Sequence, residues 1–306
     1  MPDHPDRTAS LMTPAKLAQV KPRAPMSPAA WLDQMAADAG HAHVRRLGEL
    51  CAEMAGRDRL RDLRPAAAAL GGLAEALPGL DFGLLQPRGF WARATGTRKS
   101  AGPEFAAQYE RIDAVARELA AHVQALQKKQ QAQGTMSELA RVEMEIEMRA
   151  IEKILDQGAR WLQDMRNQLK ARAASAGDAQ AIRDDTQRCE ILVARLKLLR
   201  AVSSAAQQAN RQAQAATAQR GAMLQLLQQA VATNVKNWQA RLAALVAVSG
   251  ERQPPPASVD GAMESHRELQ LCVKQAIADD GQLQGQEQAL AESLAALDAQ
   301  VQAARS

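Results

Sequence analysis

Three groups of residues in this chain have types that could do chemistry, and their spacing decides what each can do. His41 and His43 form an HxH pair. Residues two apart on a helix point to different faces, so these rings cannot share a metal ion without an irregular turn, and surface histidines are the expectation. His122 and His266 stand isolated in the sequence. In VEMEIEM, Glu143 and Glu147 fall on one helical face, as paired acid/base carboxylates would. Arg141 and Arg149 sit beside them and nothing else converges, so a solvated charged face is the expectation. Met144 and Met148 share that spacing and read as a packing stripe. Cys51, Cys189 and Cys272 are far apart and form no CxxC, so they offer neither a disulfide framework nor a zinc site. Thiol redox chemistry on an oxyanion would need them exposed or paired, and Cys189 lies on an apolar stripe that predicts burial. There is no P-loop, no GxGxxG and no HExxH. No catalytic residue, metal ligand or cofactor is expected.

The most distinctive local feature is PRGFWARATGTRK. It holds Arg88, Arg93, Arg98 and Lys99 without an acid, together with Phe90 and Trp91. Basic residues interleaved with aromatics can dock on anionic lipid, an anion or an acidic partner. The alternative is a loop whose aromatics plug a bundle end while its arginines face water.

Long helices must position these residues. The stretch 178–249 has no proline and a single glycine, Gly221. As one helix it would run about 108 Å at 1.5 Å per residue. Phe105, Tyr109, Ile112, Ala116, Leu119, Val123 and Leu126 alternate at steps of four and three, a coiled-coil seam. Gly134-Thr135 is expected to end that helix, and a second should run from Met136 to about Arg172, with Leu155, Leu162, Met165 and Leu169 on its stripe. Asp178 can cap the next helix. Its stripe passes through Ile182, Cys189, Leu192 and Leu199, thins at Ala206, Asn210 and Ala213, and resumes at Leu227, Val231, Asn234, Trp238, Arg241 and Leu245. Gly250 to Pro256 breaks the chain. A last helix from about Ser258 should bury Leu269, Val273, Ala276, Leu283, Leu290, Leu294, Leu297 and Val301. Short turns between long helices imply antiparallel neighbours. The expected fold is all-α: an elongated antiparallel bundle over 104–304, a small helical module over 29–80, a basic-aromatic connector over 81–103, and a proline-rich, disordered terminus over 1–28.

Composition agrees. The chain of 306 residues is 46% hydrophobic but only 3% aromatic, and alanine supplies much of the apolar count. A net charge of +4 is mild and interspersed, which gives no reason to expect nucleic acid as a partner. No secretory signal or membrane-spanning run is evident, and the unpaired cysteines suit a reduced, cytoplasmic setting.

FGLLQPRGFWARATGTRK, followed by QYERIDAVARELAAHVQALQKKQ, resembles the toxic-anion-resistance, or TelA-like, tellurite-resistance family. So does LKLLRAVSSAAQQANRQAQ with LLQQAVATNVKNWQARLAAL after it, where Gln208, Gln212, Trp238 and Gln239 form the family-like helical block. The resemblance spans roughly Phe82 to Leu297. It departs at Lys236-Asn237, where a proline is usual before the tryptophan, and at CVKQAIADDGQ, which lacks a Thr/Asn-rich stretch. The chain reads as a divergent member. The resemblance implies a cytoplasmic all-α protein associated with resistance to tellurite and related stresses, without established catalytic residues. The role expected here is binding or scaffolding, with stress-operon proteins or further copies as partners, or peripheral contact with the anionic inner face of the membrane. Two other readings stay open: a thiol-dependent oxyanion reductase, and a structural coiled-coil protein of an envelope or secretion apparatus.

Overall fold

The computed structural model describes residues 39–60, 63–85, 98–175, 178–249 and 254–305; the side chains of 57–60, 98–100 and 131–137 are outside that description. The described residues are all-α. In chain order they form α1 (His41–Leu60), α2 (Arg64–Ala76), 3-10 turns at Leu77–Gly79 and Phe82–Leu85, α3 (Arg98–Ala174), α4 (Ala179–Gln229), a π-helical turn (Ala230–Val235), α5 (Lys236–Ser249) and α6 (Pro256–Arg305). None of the described helices is long and apolar enough to cross a membrane. The proposed disordered terminus, and Arg88, Phe90, Trp91 and Arg93 of the connector, lie outside the described residues. So do the side chains of Arg98 and Lys99.

Helix ends follow local chemistry. Asp178 caps α4: its Oδ1 accepts from the Gln180 amide at 2.9 Å. Pro256 opens α6, where the missing N–H costs nothing. Pro78-Gly79 closes α2 through a 3-10 turn. Two expected boundaries are corrected. Helix α3 begins at Arg98, inside the expected connector, and it runs through Gly134-Thr135 without a break. A helical glycine costs only about 1 kcal/mol against alanine, and the strong helix formers on both sides, QKKQQAQ and MSELAR, sustain the ladder.

Contacts divide the chain into two units. The first comprises residues up to Ala55, Glu138–Arg211 and Ala291–Ser306; the second comprises Gly56–Ser137 and Gln212–Leu290. The sequence-based segments differ from this partition, since α1 packs in the first unit and α2 in the second.

The first unit is built from α1, the C-terminal half of α3, the N-terminal part of α4 and the end of α6. Cross-helix contacts set their directions. Arg172 meets Asp185, Gly158 faces Leu196, and Glu152 meets Gln207, so α3 and α4 run antiparallel. Helix α1 is antiparallel to both α3 and α6: His43 meets Glu147 and Arg46 meets Glu143, while Gly48 faces Val301 and Cys51 meets Leu294. Val44, Leu47, Leu50, Met144, Met148, Ile151, Leu199, Val202, Leu297 and Val301 are buried. Arg195 ties two backbone ends together, donating through Nε to the Ala39 carbonyl at 3.1 Å and through Nη1 to that of Ala304. Gly40, at φ +71°, stands where an added Cβ would come within 2.8 Å of Leu199, so both backbone and space require glycine there.

The second unit packs α2, the N-terminal part of α3, the end of α4 with the π-turn and α5, and the first part of α6 around one core. Phe105, Ile112, Ala116, Leu119 and Val123 are buried as the seam predicts, as are Leu269, Val273, Ala276 and Leu283. Arg220 meets Glu287, Trp238 meets His266 and Arg241 meets Gly261, which sets α4–α5 antiparallel to α6.

Candidate functional site

The π-turn decides which residues α5 presents inward. Along α4 and α5 the buried stripe passes Leu227 and Ala230, then Val235, Trp238, Leu242 and Leu245. The five-residue step from Ala230 to Val235 is the π-turn itself. An unbroken three-and-four spacing puts Arg241 on the stripe. Instead Arg241 is exposed and Leu242 takes the inward position.

Trp238 is fully buried in the second unit. Its Nε1–H donates to His266 Nδ1 at 3.1 Å. His266 Nε2 lies 3.1 Å from the Gln270 side-chain amide. A neutral imidazole has one acceptor, and Trp238 uses it at Nδ1, which leaves the ring proton on Nε2. Burial lowers the His266 pKa from its usual range, and the Leu77 carbonyl partly opposes that shift. Phe82 stacks edge-on against His266 at 5.5 Å and against Phe105 at 5.7 Å. Tyr109 tilts over Trp238 at 5.4 Å. One turn along α3, the buried carboxylate of Asp113 accepts from Gln239 Nε2 at 2.6 Å and pairs with Arg117 at 2.5 Å. Burial, and then the Asp113 charge, raise the Tyr109 pKa.

This cluster joins two residues of the family-like block, Trp238 and Gln239, to Tyr109. It does not include the other two. Gln208 is exposed in the first unit, and Gln212 is half-buried in the second. His266, isolated in sequence, is the centre of the cluster and not a bystander; apart from Gln270, one turn along α6, its partners lie on other elements far along the chain, so no local signal marks it. The polar groups named here bond to one another, which describes a structural knot better than a ligand cradle.

A different kind of surface lies on α3 in the first unit. Ala140, Met144, Met148 and Ile151 face inward, so the methionines are the expected packing stripe. Leu139, Val142 and Ile146 are 61%, 42% and 58% exposed, on the opposite side of the same helix. Glu143 and Glu147 do not form a free solvated pair: Glu143 binds Arg46 of α1, and Glu147 binds His43 Nδ1 at 2.5 Å. The expected neutralisation by Arg141 goes elsewhere, to Glu138 at 2.5 Å and Glu145 at 2.8 Å. His43 is thus half-buried in an interhelical contact, whereas His41 is exposed as expected. The thiols are inward: Cys51 and Cys189 are buried and Cys272 is half-buried. Cys51 donates to the Leu294 carbonyl at 3.2 Å, and burial pushes its pKa up to about 11. Burial also raises that of Cys189.

Fold and surface together define an all-α helical-bundle protein with an internal aromatic knot and an outward apolar stripe. No protein-family model matches the chain, and no curated protein or solved structure is significantly similar to it.

Proposed function

We propose that this chain is a binding and scaffolding protein of the toxic-anion-resistance kind, acting by contact with protein partners and not by catalysis. The observation that carries the reading is the two-faced stretch of α3. A helix that already buries Met144, Met148 and Ile151 keeps Leu139, Val142 and Ile146 in water. Exposed apolar clusters rimmed by polar residues mark contact surfaces. The resistance setting rests on the sequence resemblance, which includes Tyr109, Trp238 and Gln239. A thiol reductase is the weaker reading, because the thiolate is the reactive form and burial holds Cys51 and Cys189 protonated. Peripheral contact with an anionic membrane, through the segment from Arg88 to Lys99, remains part of the proposal.

The test is tellurite tolerance in cells expressing the chain at equal level in three forms. The unaltered protein should raise tolerance. Leu139→Gln with Ile146→Gln should abolish the gain, and replacing Cys51, Cys189 and Cys272 together by alanine should preserve it. Loss in the cysteine-free form, with its helicity intact, would establish the reductase instead. No gain from the unaltered protein removes the resistance reading.

A further inference from the structure

His266 stands where three elements meet, and its bonds fix one protonation state. Nδ1 accepts from Trp238 of α5. The Leu77 carbonyl, where the first 3-10 turn begins, accepts from the ring. Phe82, in the second 3-10 turn, lies edge-on against it. The ionisable groups of the surrounding elements face solvent or are engaged elsewhere. Asp81 accepts from the Gly83 amide, and Asp113 binds Gln239 and Arg117. Tyr109 packs on Trp238, and burial keeps its phenol protonated. Arg241 donates to Asn237 and to the Gly261 carbonyl. Glu75 of α2, Glu104, Glu110 and Arg111 of α3, and Glu264, Arg267 and Glu268 of α6 are exposed. A proton on Nδ1 turns the acceptor of the Trp238 bond into a second donor facing the indole N–H. The bond between α5 and α6 is lost, and a cation is left in apolar surroundings, which is costly without a counter-charge.

Of the elements over the ring, Leu77–Leu85 is the easiest to open. Its turns close through the Leu80 amide to the Leu77 carbonyl and the Leu84 amide to that of Asp81, both at 3.3 Å. Bonds of this length and type are weak. The Asp81 amide adds one exposed bond to Gln108 of α3. By contrast α3, α5 and α6 carry helical ladders of fourteen residues or more. Short segments of this kind open locally while the rest of a domain stays folded.

We propose that the Trp238–His266 bond is an acid-sensitive latch: a neutral His266 keeps Leu77–Leu85 closed over the ring, and protonation of Nδ1 releases that segment while the helices of the second unit stay folded. Burial disfavours the proton in the closed state. Closure is therefore whole above about pH 6.5, weakens as pH falls through that value, and levels off below the closed-state pKa.

The experiment follows hydrogen exchange of the full chain from pH 7.5 to pH 5, corrected for the intrinsic pH dependence of exchange. Protection of the amides of 79–85 should fall by up to about tenfold per pH unit below about pH 6.5, while 105–126 and 259–283 keep theirs. His266→Gln should remove the acid response of 79–85. Trp238→Phe keeps the imidazole but deletes the donor that favours its neutral form, so it should shrink that response. Circular dichroism checks the helicity of both variants, and the comparison of segments in the unaltered chain needs neither. Constant protection of 79–85 across the range overturns the proposal. Equal loss in all three segments also overturns it, since the unit then unfolds as a whole. A response that survives in a folded His266→Gln variant assigns the release to another group and overturns it as well.

Discussion

The two units reach a packed interior by different means. The second places its aromatics together: Phe82 and Trp238 contact His266, Phe105 packs on Phe82 and Tyr109 on Trp238, and after the π-turn Leu242 rather than Arg241 faces in beside them. The first is filled mainly by leucine, valine, methionine, isoleucine, cysteine and alanine, with Trp161 packed half-buried against it, and its helix borders carry cross-helix polar contacts such as Arg46–Glu143 and Gln207–Glu152. A large buried aromatic with one satisfied polar atom fixes register through shape and a single directional bond. Small apolar residues permit close helix approach but specify register weakly, so directional information in the first unit comes from Arg195, Gly40 and the bordering charges. Losses in the second unit should therefore concentrate at one side chain, and those in the first should be spread over several.

The sharpest way to break that contrast is Trp238→Ala. Emptying a fully buried site of this size costs about 3–5 kcal/mol, read as a shift in the urea midpoint. Hydrogen exchange should rise most in 105–126 and 259–283. An effect below about 1 kcal/mol would mean that the aromatic knot is not the second unit's anchor.

Arg195→Met is the corresponding test of the first unit. It removes the donors to the Ala39 and Ala304 carbonyls while keeping much of the stem. Hydrogen bonds from a charged donor are worth about 1.5–3 kcal/mol, partly offset here because burial disfavours the unaltered guanidinium. Urea unfolding should show a smaller loss than Trp238→Ala causes, with faster exchange at the start of α1 and the last turn of α6.

A pH dependence should separate the units further. The His266 pKa is lowered by burial, so the unfolded chain holds more protons than the folded one between the folded value and about 6.5. The contribution of His266 is whole above about pH 6.5. It falls as pH drops through that value and levels off below the folded pKa. The slope is at most about 1.4 kcal/mol per pH unit for one proton. Urea midpoints across this range should show the slope, and His266→Leu should flatten it. An unchanged slope in that variant assigns the effect to other groups.

The smallest expected effect is Glu143→Gln. It breaks a partly exposed bond to Arg46 and should cost under about 1 kcal/mol, less in raised salt. A larger loss would show that the bordering charges, and not the apolar stripe, hold α1 on α3.

Much of this arrangement was legible along the chain. The seam from Phe105 to Val123 and the stripe from Leu269 to Val301 are buried as their spacing predicts, and Asp178 and Pro78-Gly79 act as their types suggest. The inward face of α3 at Met144 and Met148 was equally readable. Its outward face was missed, because VEMEIEM interleaves glutamate with two apolar faces and resembles a solvated charge run until one face is seen to be occupied.

Sequence by itself determined the helical class, the apolar phase of each long helix and the chemistry of most helix ends. These depend on propensities, periodicity and capping within a few residues. Tertiary structure alone decided the continuity of α3 through Gly134, the five-residue step before Trp238, the burial of His266 and the exposure of Leu139, Val142 and Ile146. Each of these depends on which helices lie alongside. A glycine is tolerated where the flanking ladder holds, a π-turn where the tryptophan finds its pocket, and an apolar face stays open only when every neighbour packs on the other side.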